Sequence, residues 1–140
     1  IVLVSVGSAR VKARDTRRIA DMRQVTLALE FYVDKYRHYV PTTGSTAEAR
    51  WQDLKECLSA QPACTDNTKS FQIMTAAPED PLGTAQFQYD YSPNANQTGF
   101  VLKSRMETDH EVLVSDIDGT QSGYNNIDCG DTDPIYCVKI

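Results

Sequence analysis

Four cysteines are the residues of this 140-residue sequence whose chemistry is easiest to interpret. They lie as two local pairs, Cys57 with Cys64 and Cys129 with Cys137. Neither pair is a CxxC motif and no histidine lies at ligand spacing, which argues against zinc. Disulfides are expected, and loop entropy favours closure within each local pair among the three possible connectivities. They would place the protein in an oxidising compartment, whereas four buried thiols in a cytosolic protein are the alternative.

Catalytic chemistry has little support. The two histidines, His38 and His110, fall at the end of a predicted helix and in a predicted loop, and we interpret both as surface residues. No GxSxG, HExxH or phosphate-binding loop occurs. The sequence therefore does not predict an enzyme.

Charge is divided unevenly along the chain. The formal net charge is −5, yet residues 1–40 hold eight Lys or Arg against four Asp or Glu, and the remainder holds six against fifteen. A basic segment suits anionic headgroups or an acidic neighbour, although ordinary surface charge explains it equally well. Because the acidic remainder would repel phosphate, we do not expect nucleic-acid binding.

One long helix is predicted for Ile1 to Arg37, apolar at its start and amphipathic after it. Apolar groups recur in steps of three and four, which is a helical pattern, at Ile19, Met22, Thr26, Leu29, Val33 and Tyr36. At 1.5 Å per residue the helix would be roughly 55 Å long, about twice the width of a 100-residue globule. One apolar end must therefore project, and it needs a partner.

The projecting end is the first candidate site. No stretch reaches the roughly 20 apolar residues of a membrane span. Since the chain begins with Ile inside an apolar run, we expect the natural apolar segment to be longer. The residues predicted to contact a membrane or a neighbouring subunit are Ile1, Val2, Leu3, Val4, Val6, Arg10 and Arg14.

A second, shorter helix is predicted from Thr46 to Leu58. Ser45 and Glu48 have the spacing of a capping box at its start. Trp51 lies on its apolar face, and we interpret this ring as a core anchor rather than a ligand platform.

Alternating apolar residues predict strands in the second half of the chain. The three runs are Phe87 to Tyr91, Gly99 to Ser104 and Glu111 to Ser115, and Tyr136 to Lys139 adds a further short strand. Short loops favour antiparallel neighbours. The predicted fold is α+β: the long helix packs on a small antiparallel sheet of three or four strands, and the C-terminal region is rich in loops. Residues 1–40 would form a helical stalk, and residues 41–140 a globular head.

The order of several motifs resembles a known superfamily. Ala28 to Tyr32 leads into Tyr39 to Thr42, the turn Pro78 to Gly83 precedes Phe87 to Tyr89, and Asp118-Gly119 follows. This order resembles the type IV pilins and the type II secretion pseudopilins, and it is closest to the major pseudopilins. The C-terminal cysteine pair looks more like the type IV pilins, so the branch stays open.

The resemblance implies a function. Members of the superfamily are structural subunits of an extracytoplasmic or cell-surface helical filament, a type IV pilus or a type II secretion pseudopilus. Their precursors are anchored in the inner membrane, and the N-terminal helix then packs against copies of itself in the filament. Other pilins or the secretion machinery would be further partners. The alternative is a membrane-tethered extracytoplasmic domain that binds calcium or another ligand as a monomer.

The resemblance also implies a calcium site at Asp116, Asp118 and Asp128. Ca²⁺ takes six to eight oxygens, which carboxylates and carbonyls around an Asp-Gly turn can supply. Asp131 and Asp133 are further candidates. The loop lacks the third Asp and the closing Glu of an EF-hand, and the alternative is a plain turn with solvated acids.

Overall fold

The computed structural model describes residues 2–66, 71–130 and 134–140, with the side chains of residues 2–5 excluded. The chain is α+β, as predicted. The helices are α1 (Val2–Tyr36) and α2 (Ala47–Leu58), and the strands are β1 (Asp90–Pro93), β2 (Phe100–Arg105), β3 (Gly119–Gln121), β4 (Ile127–Cys129) and β5 (Ile135–Lys139). The C-terminal region, predicted to be rich in loops, thus contains three short strands.

The main sheet has three antiparallel strands in the order β1-β2-β5, with β2 in the centre. Tyr91 of β1 lies opposite Leu102, and Ser104 lies opposite Tyr136 of β5. The predicted short strand at residues 136–139 is therefore confirmed, and it is the third strand of the sheet. Strands β3 and β4 form a separate hairpin.

Helix α1 supplies one side of the hydrophobic core. Its buried apolar residues are Ile19, Met22, Val25, Ala28, Leu29 and Tyr32, which share one core with residues of β2 and α2. Ile19, Met22 and Leu29 were predicted. Thr26, Val33 and Tyr36 were predicted as well and are only half-buried, because the centre of the buried face is rotated toward Val25 and Tyr32.

Helix α2 begins as predicted, but with a different cap. The N-cap is Thr46, whose Oγ1 accepts a hydrogen bond from the backbone N–H of Ala49 at 3.2 Å. The predicted capping box from Ser45 is therefore wrong by one residue. Trp51 is buried, its indole N–H donates to the carbonyl of Pro78 at 3.1 Å, and its ring meets Tyr89 edge-on. The predicted role of Trp51 as a core anchor is confirmed.

Two of the predicted strands need correction. Glu111–Val114 is a 3-10 turn, in which His110 Nδ1 accepts from the N–H of Val112 at 3.1 Å. The alternation was misleading because Val114 is 89% exposed and so has no apolar face to share. The other is the strand predicted from Phe87 to Tyr91. Ala85–Phe87 is also a 3-10 turn, and the hydrogen-bonded pairing of β1 with β2 starts only at Asp90.

Both disulfides close locally, as loop entropy predicted. Cys57 bonds to Cys64 with a Cα–Cα distance of 4.7 Å, and Cys129 bonds to Cys137 at 6.0 Å. The first ties the end of α2 to the following loop. The second joins the β3–β4 hairpin to the main sheet.

Ser104 generates a prediction about stability. Its Oγ is buried on the central strand and has no hydrogen-bond partner among the described residues. Because an unpaired buried hydroxyl is unfavourable, Ser104→Ala should leave the free energy of unfolding unchanged or raise it by up to about 1 kcal/mol. Urea denaturation measures this quantity.

Ser92 is the matched control. It is equally buried, but its Oγ accepts from Asn125 Nδ2 at 2.7 Å. Ser92→Ala should therefore cost about 1 kcal/mol. A loss for Ser104→Ala as large as that for Ser92→Ala would contradict the assignment.

Candidate functional site

The outer face of α1 is the main candidate site. Eight solvent-exposed residues follow one another in steps of three and four and so share one face of the helix. We call them the outward stripe; they are Val6, Ala9, Ala13, Thr16, Ala20, Gln24, Leu27 and Phe31. None of them carries a charge. An uncharged face that crosses most of a 35-residue helix is unusual for a surface in contact with water only.

Two large apolar side chains mark the C-terminal half of the stripe. Leu27 is 62% exposed and Phe31 is 69% exposed, and their spacing of four residues makes them neighbours on the helix. Phe71, also exposed, lies nearby: the Lys35 ammonium stands 5.6 Å from its ring centroid. Three exposed apolar side chains thus lie at this end of the helix.

The charges beside the stripe are separated by sign. Arg10, Lys12 and Arg17 are exposed along its N-terminal half and Arg23 near its middle. Glu30 and Asp34 are exposed beside Leu27 and Phe31, where Lys35 is exposed as well. Arg17 lies 3.7 Å from Asp21, a weak pair whose cation is largely solvated. The face is therefore basic at one end, and two of its three exposed charges at the other end are acidic.

A buried arginine holds the opposite face of α1 to the head. The Arg18 side chain is fully buried, and its Nε and Nη2 donate to the two carboxylate oxygens of Asp80 at 2.6 and 3.0 Å. Its Nη1 donates to Asp15 and to Glu107, both at 2.8 Å. The guanidinium carbon also lies 4.6 Å from the centroid of the Phe87 ring. Burial lowers the pKa of Arg18, but these three carboxylates outweigh it and raise that pKa overall.

The acids of this cluster are themselves held in place. Asp15 accepts from the backbone N–H groups of Glu107 and Thr108 at 2.9 and 3.1 Å. Asp80 accepts from the N–H of Leu82 at 2.8 Å, inside the turn that the sequence predicted. Each acid thus links α1 or Arg18 to a loop of the head. Because the inward face is fixed by these bonds, the outward stripe must face away from the head.

The predicted contact residues at the start of α1 can now be placed. Ile1 lies outside the described residues, and the side chains of Val2, Leu3 and Val4 do too. Val6 is 42% exposed and Arg10 is exposed, so the head does not cover this part of the helix. Arg14 is different, since its guanidinium binds Glu107 of the same chain through two bonds of 2.6 Å.

The predicted calcium ligands have other bonds. Asp116 Oδ2 accepts from the N–H of Cys137 at 2.9 Å and so covers the outer edge of β5, and Asp128 Oδ1 accepts from the N–H of Gly130 at 3.0 Å. Asp118 directly precedes β3. Within residues 2–66, 71–130 and 134–140, no group of three His, Cys, Asp or Glu is placed to hold a metal ion. Asp131 and Asp133 lie outside the described residues, and calcium binding stays a prediction.

Sequence reasoning missed both the outward stripe and the Arg18 cluster. A signal for the stripe was present, since Leu27 and Phe31 lie four residues apart and off the predicted buried face. The spacing of Asp15 and Arg18 signals a helical ion pair. It does not show that the pair is buried, because Asp80 and Glu107 are distant in sequence.

Glu107 generates a prediction about pH. The bonds from Arg14 lower the pKa of Glu107 to about 2, from the ordinary 4.5. Because the folded-state pKa is the lower one, the stabilisation is complete above about pH 4.5 and is lost as the pH falls toward 2. Over this range the free energy of unfolding should fall by about 3 kcal/mol more for the wild type than for Glu107→Gln. Urea denaturation at each pH measures it.

Parallel pH curves for the two proteins would contradict this role of Glu107. Asp21, whose pKa is raised by burial, changes stability in the opposite sense. It does so equally in both proteins, so the difference between them isolates Glu107.

Calcium binding has its own test. Titration of chelator-treated protein with Ca²⁺ should release or absorb heat and raise the melting temperature, because a ligand bound only to the folded state stabilises it. Asp118→Asn should weaken both effects. If neither heat nor melting temperature changes for the wild type, the predicted site is wrong.

Neither the helices of the structure nor comparison with known proteins identifies the function. Among the described residues, no helix combines the length and apolar character needed to cross a bilayer. Comparison of this chain with family models, with curated proteins and with solved structures gives no match. The features of this chain that bear on its function are therefore the outward stripe and the Arg18 cluster that orients it.

Proposed function

We propose that this protein is a structural subunit of an extracytoplasmic helical filament, of the type IV pilus or type II secretion pseudopilus kind. Subunits would assemble by packing their long helices together. The observation that carries the proposal is the outward stripe, an uncharged and exposed face that α1 directs away from its own head.

The composition of the stripe favours a helix as its partner. Burying a leucine or phenylalanine side chain stabilises an assembly by about 1.5–3 kcal/mol relative to leaving it exposed. Helix axes pack about 8–10 Å apart, and small residues at the contact allow the shorter distances in this range. Ala9, Ala13 and Ala20 meet that need, and Leu27 and Phe31 supply the apolar area.

The structure distinguishes basic residues that are bound within the chain from those that are exposed to solvent. The sequence predicts that Arg10 and Arg14 contact a membrane or a neighbouring subunit. Arg14 and Arg18 already bind acids of their own chain. The basic residues proposed to contact neighbouring subunits are therefore the exposed Arg10, Lys12 and Arg17. The two disulfides support assembly in an oxidising compartment.

The test is negative-stain microscopy of the full-length, processed protein. We expect fibres several nanometres wide, and we expect Phe31→Asp to abolish them because a carboxylate would be buried in the helix contact. Since Phe31 is exposed in the subunit, its replacement should change the free energy of unfolding by no more than about 0.5 kcal/mol.

Val114→Asp is the matched control. Val114 is even more exposed than Phe31 but lies on a turn of the head. This variant should form fibres normally. Discrete wild-type particles under all conditions would contradict the proposal and favour the alternative, a tethered binding domain that acts alone.

A further inference from the structure

We propose that the outward stripe binds the outward stripe of a second copy in a parallel arrangement displaced by five helical turns. In this register Ala9 and Ala13 of one copy lie against Leu27 and Phe31 of the next. The inference rests on the proposed function and adds the register of the subunit contact.

The sizes of the side chains give this displacement. Ala9 and Leu27 are 18 residues apart, and so are Ala13 and Phe31. Eighteen residues make five turns of an α-helix and a rise of about 27 Å, so this displacement leaves the two stripes facing each other. The small side chains at one end leave the room that the large side chains at the other end would fill.

The charges give the same displacement independently. In a parallel pair with facing stripes, each flank of one helix meets the opposite flank of its neighbour. A shift of 18 residues therefore brings Arg10 within two residues of the level of Glu30, and Arg17 within one residue of the level of Asp34. Tyr39 donates to one oxygen of Glu30 at 3.0 Å and holds this carboxylate in place. A parallel pair without displacement would instead place Arg10 of one copy beside Lys12 of the other, and like charges at a contact are unfavourable.

An antiparallel pair centred on Ala20 fits less well. It also places large side chains against small ones, but it gives Arg17 and Asp34 no exposed residue of opposite charge across the contact. Such a pair is symmetric and closes as a dimer. The displaced parallel pair leaves the acidic end of one copy and the basic end of the other unoccupied. Further copies can therefore add at both ends, as a filament requires.

Photo-cross-linking within filaments of the full-length protein tests the register. A photoreactive phenylalanine analogue at Phe31 should cross-link to the neighbour's residues 9–13, and mixed isotope labelling shows that the link is between copies. The same probe at Ala20 should reach Val2 of one neighbour or the C-terminal end of α1, at Tyr36, of the other. A probe at Val114 is the control and should give no link to α1. Links from Ala20 to Ala20 of the neighbour would overturn the proposal, because the antiparallel and the undisplaced pairs both require them.

Charge exchange provides the second test. Arg10→Glu and Glu30→Arg should each raise the critical concentration for assembly by about fivefold, because each places like charges opposite one another. The double variant should recover to within about twofold of the wild type, since the pair is restored with its signs reversed. Glu79→Lys, at an exposed acid outside α1, is the control and should have no effect.

The outcomes separate the register from the proposed function. Normal fibres with no recovery in the double variant would overturn the five-turn displacement and leave the filament function standing. Absence of fibres from the wild type would overturn both. Recovery together with links from Phe31 to residues 9–13 would establish the register.

Discussion

The structure depends on one buried charge. The Arg18 guanidinium is completely shielded from water, and such a group is tolerated only when acids surround it with good geometry. Asp15 lies on the same helix, whereas Asp80 and Glu107 come from two separate loops of the head. Removing one partner of such a cluster costs about 3–5 kcal/mol, because the remaining charges stay buried and unpaired. Arginine suits the position because its planar fork can bind several carboxylates at once.

This cluster determines which face of α1 is inward. Apolar packing alone allows a helix to rotate by some tens of degrees or to slide by part of a turn, since hydrophobic contacts have no fixed direction. Bonds with fixed donor and acceptor directions do not allow such movement. The Arg18 cluster therefore specifies the rotation of the helix. The uncharged stripe then faces away from the head, where only another molecule can cover it.

The sequence predicted the parts of the fold that depend on local pattern. The long helix, the start of α2 near residue 46, the two local disulfides and the strand at residues 136–139 follow from periodicity, turn residues and loop length. The prediction failed where local pattern and tertiary packing disagree. Val112 and Val114 alternate like a strand, yet β5 occupies the edge of the sheet and leaves them in a 3-10 turn. The candidate site was found only in part. The projecting start of α1 was predicted from length, but the stripe is defined by what the head leaves uncovered. That information lies in contacts between residues more than 60 positions apart, such as Arg18 with Asp80.

The central claim is that Leu27 and Phe31 are exposed in the subunit and buried in the assembly. Hydroxyl-radical footprinting measures this directly, since the oxidation rate of a side chain follows its exposure to solvent. It should be applied to the full-length, processed protein before and after assembly, with Val114 as the internal reference. The account predicts that oxidation of Leu27 and Phe31 falls severalfold on assembly while that of Val114 is unchanged. Equal oxidation of Leu27 and Phe31 in both states would contradict it.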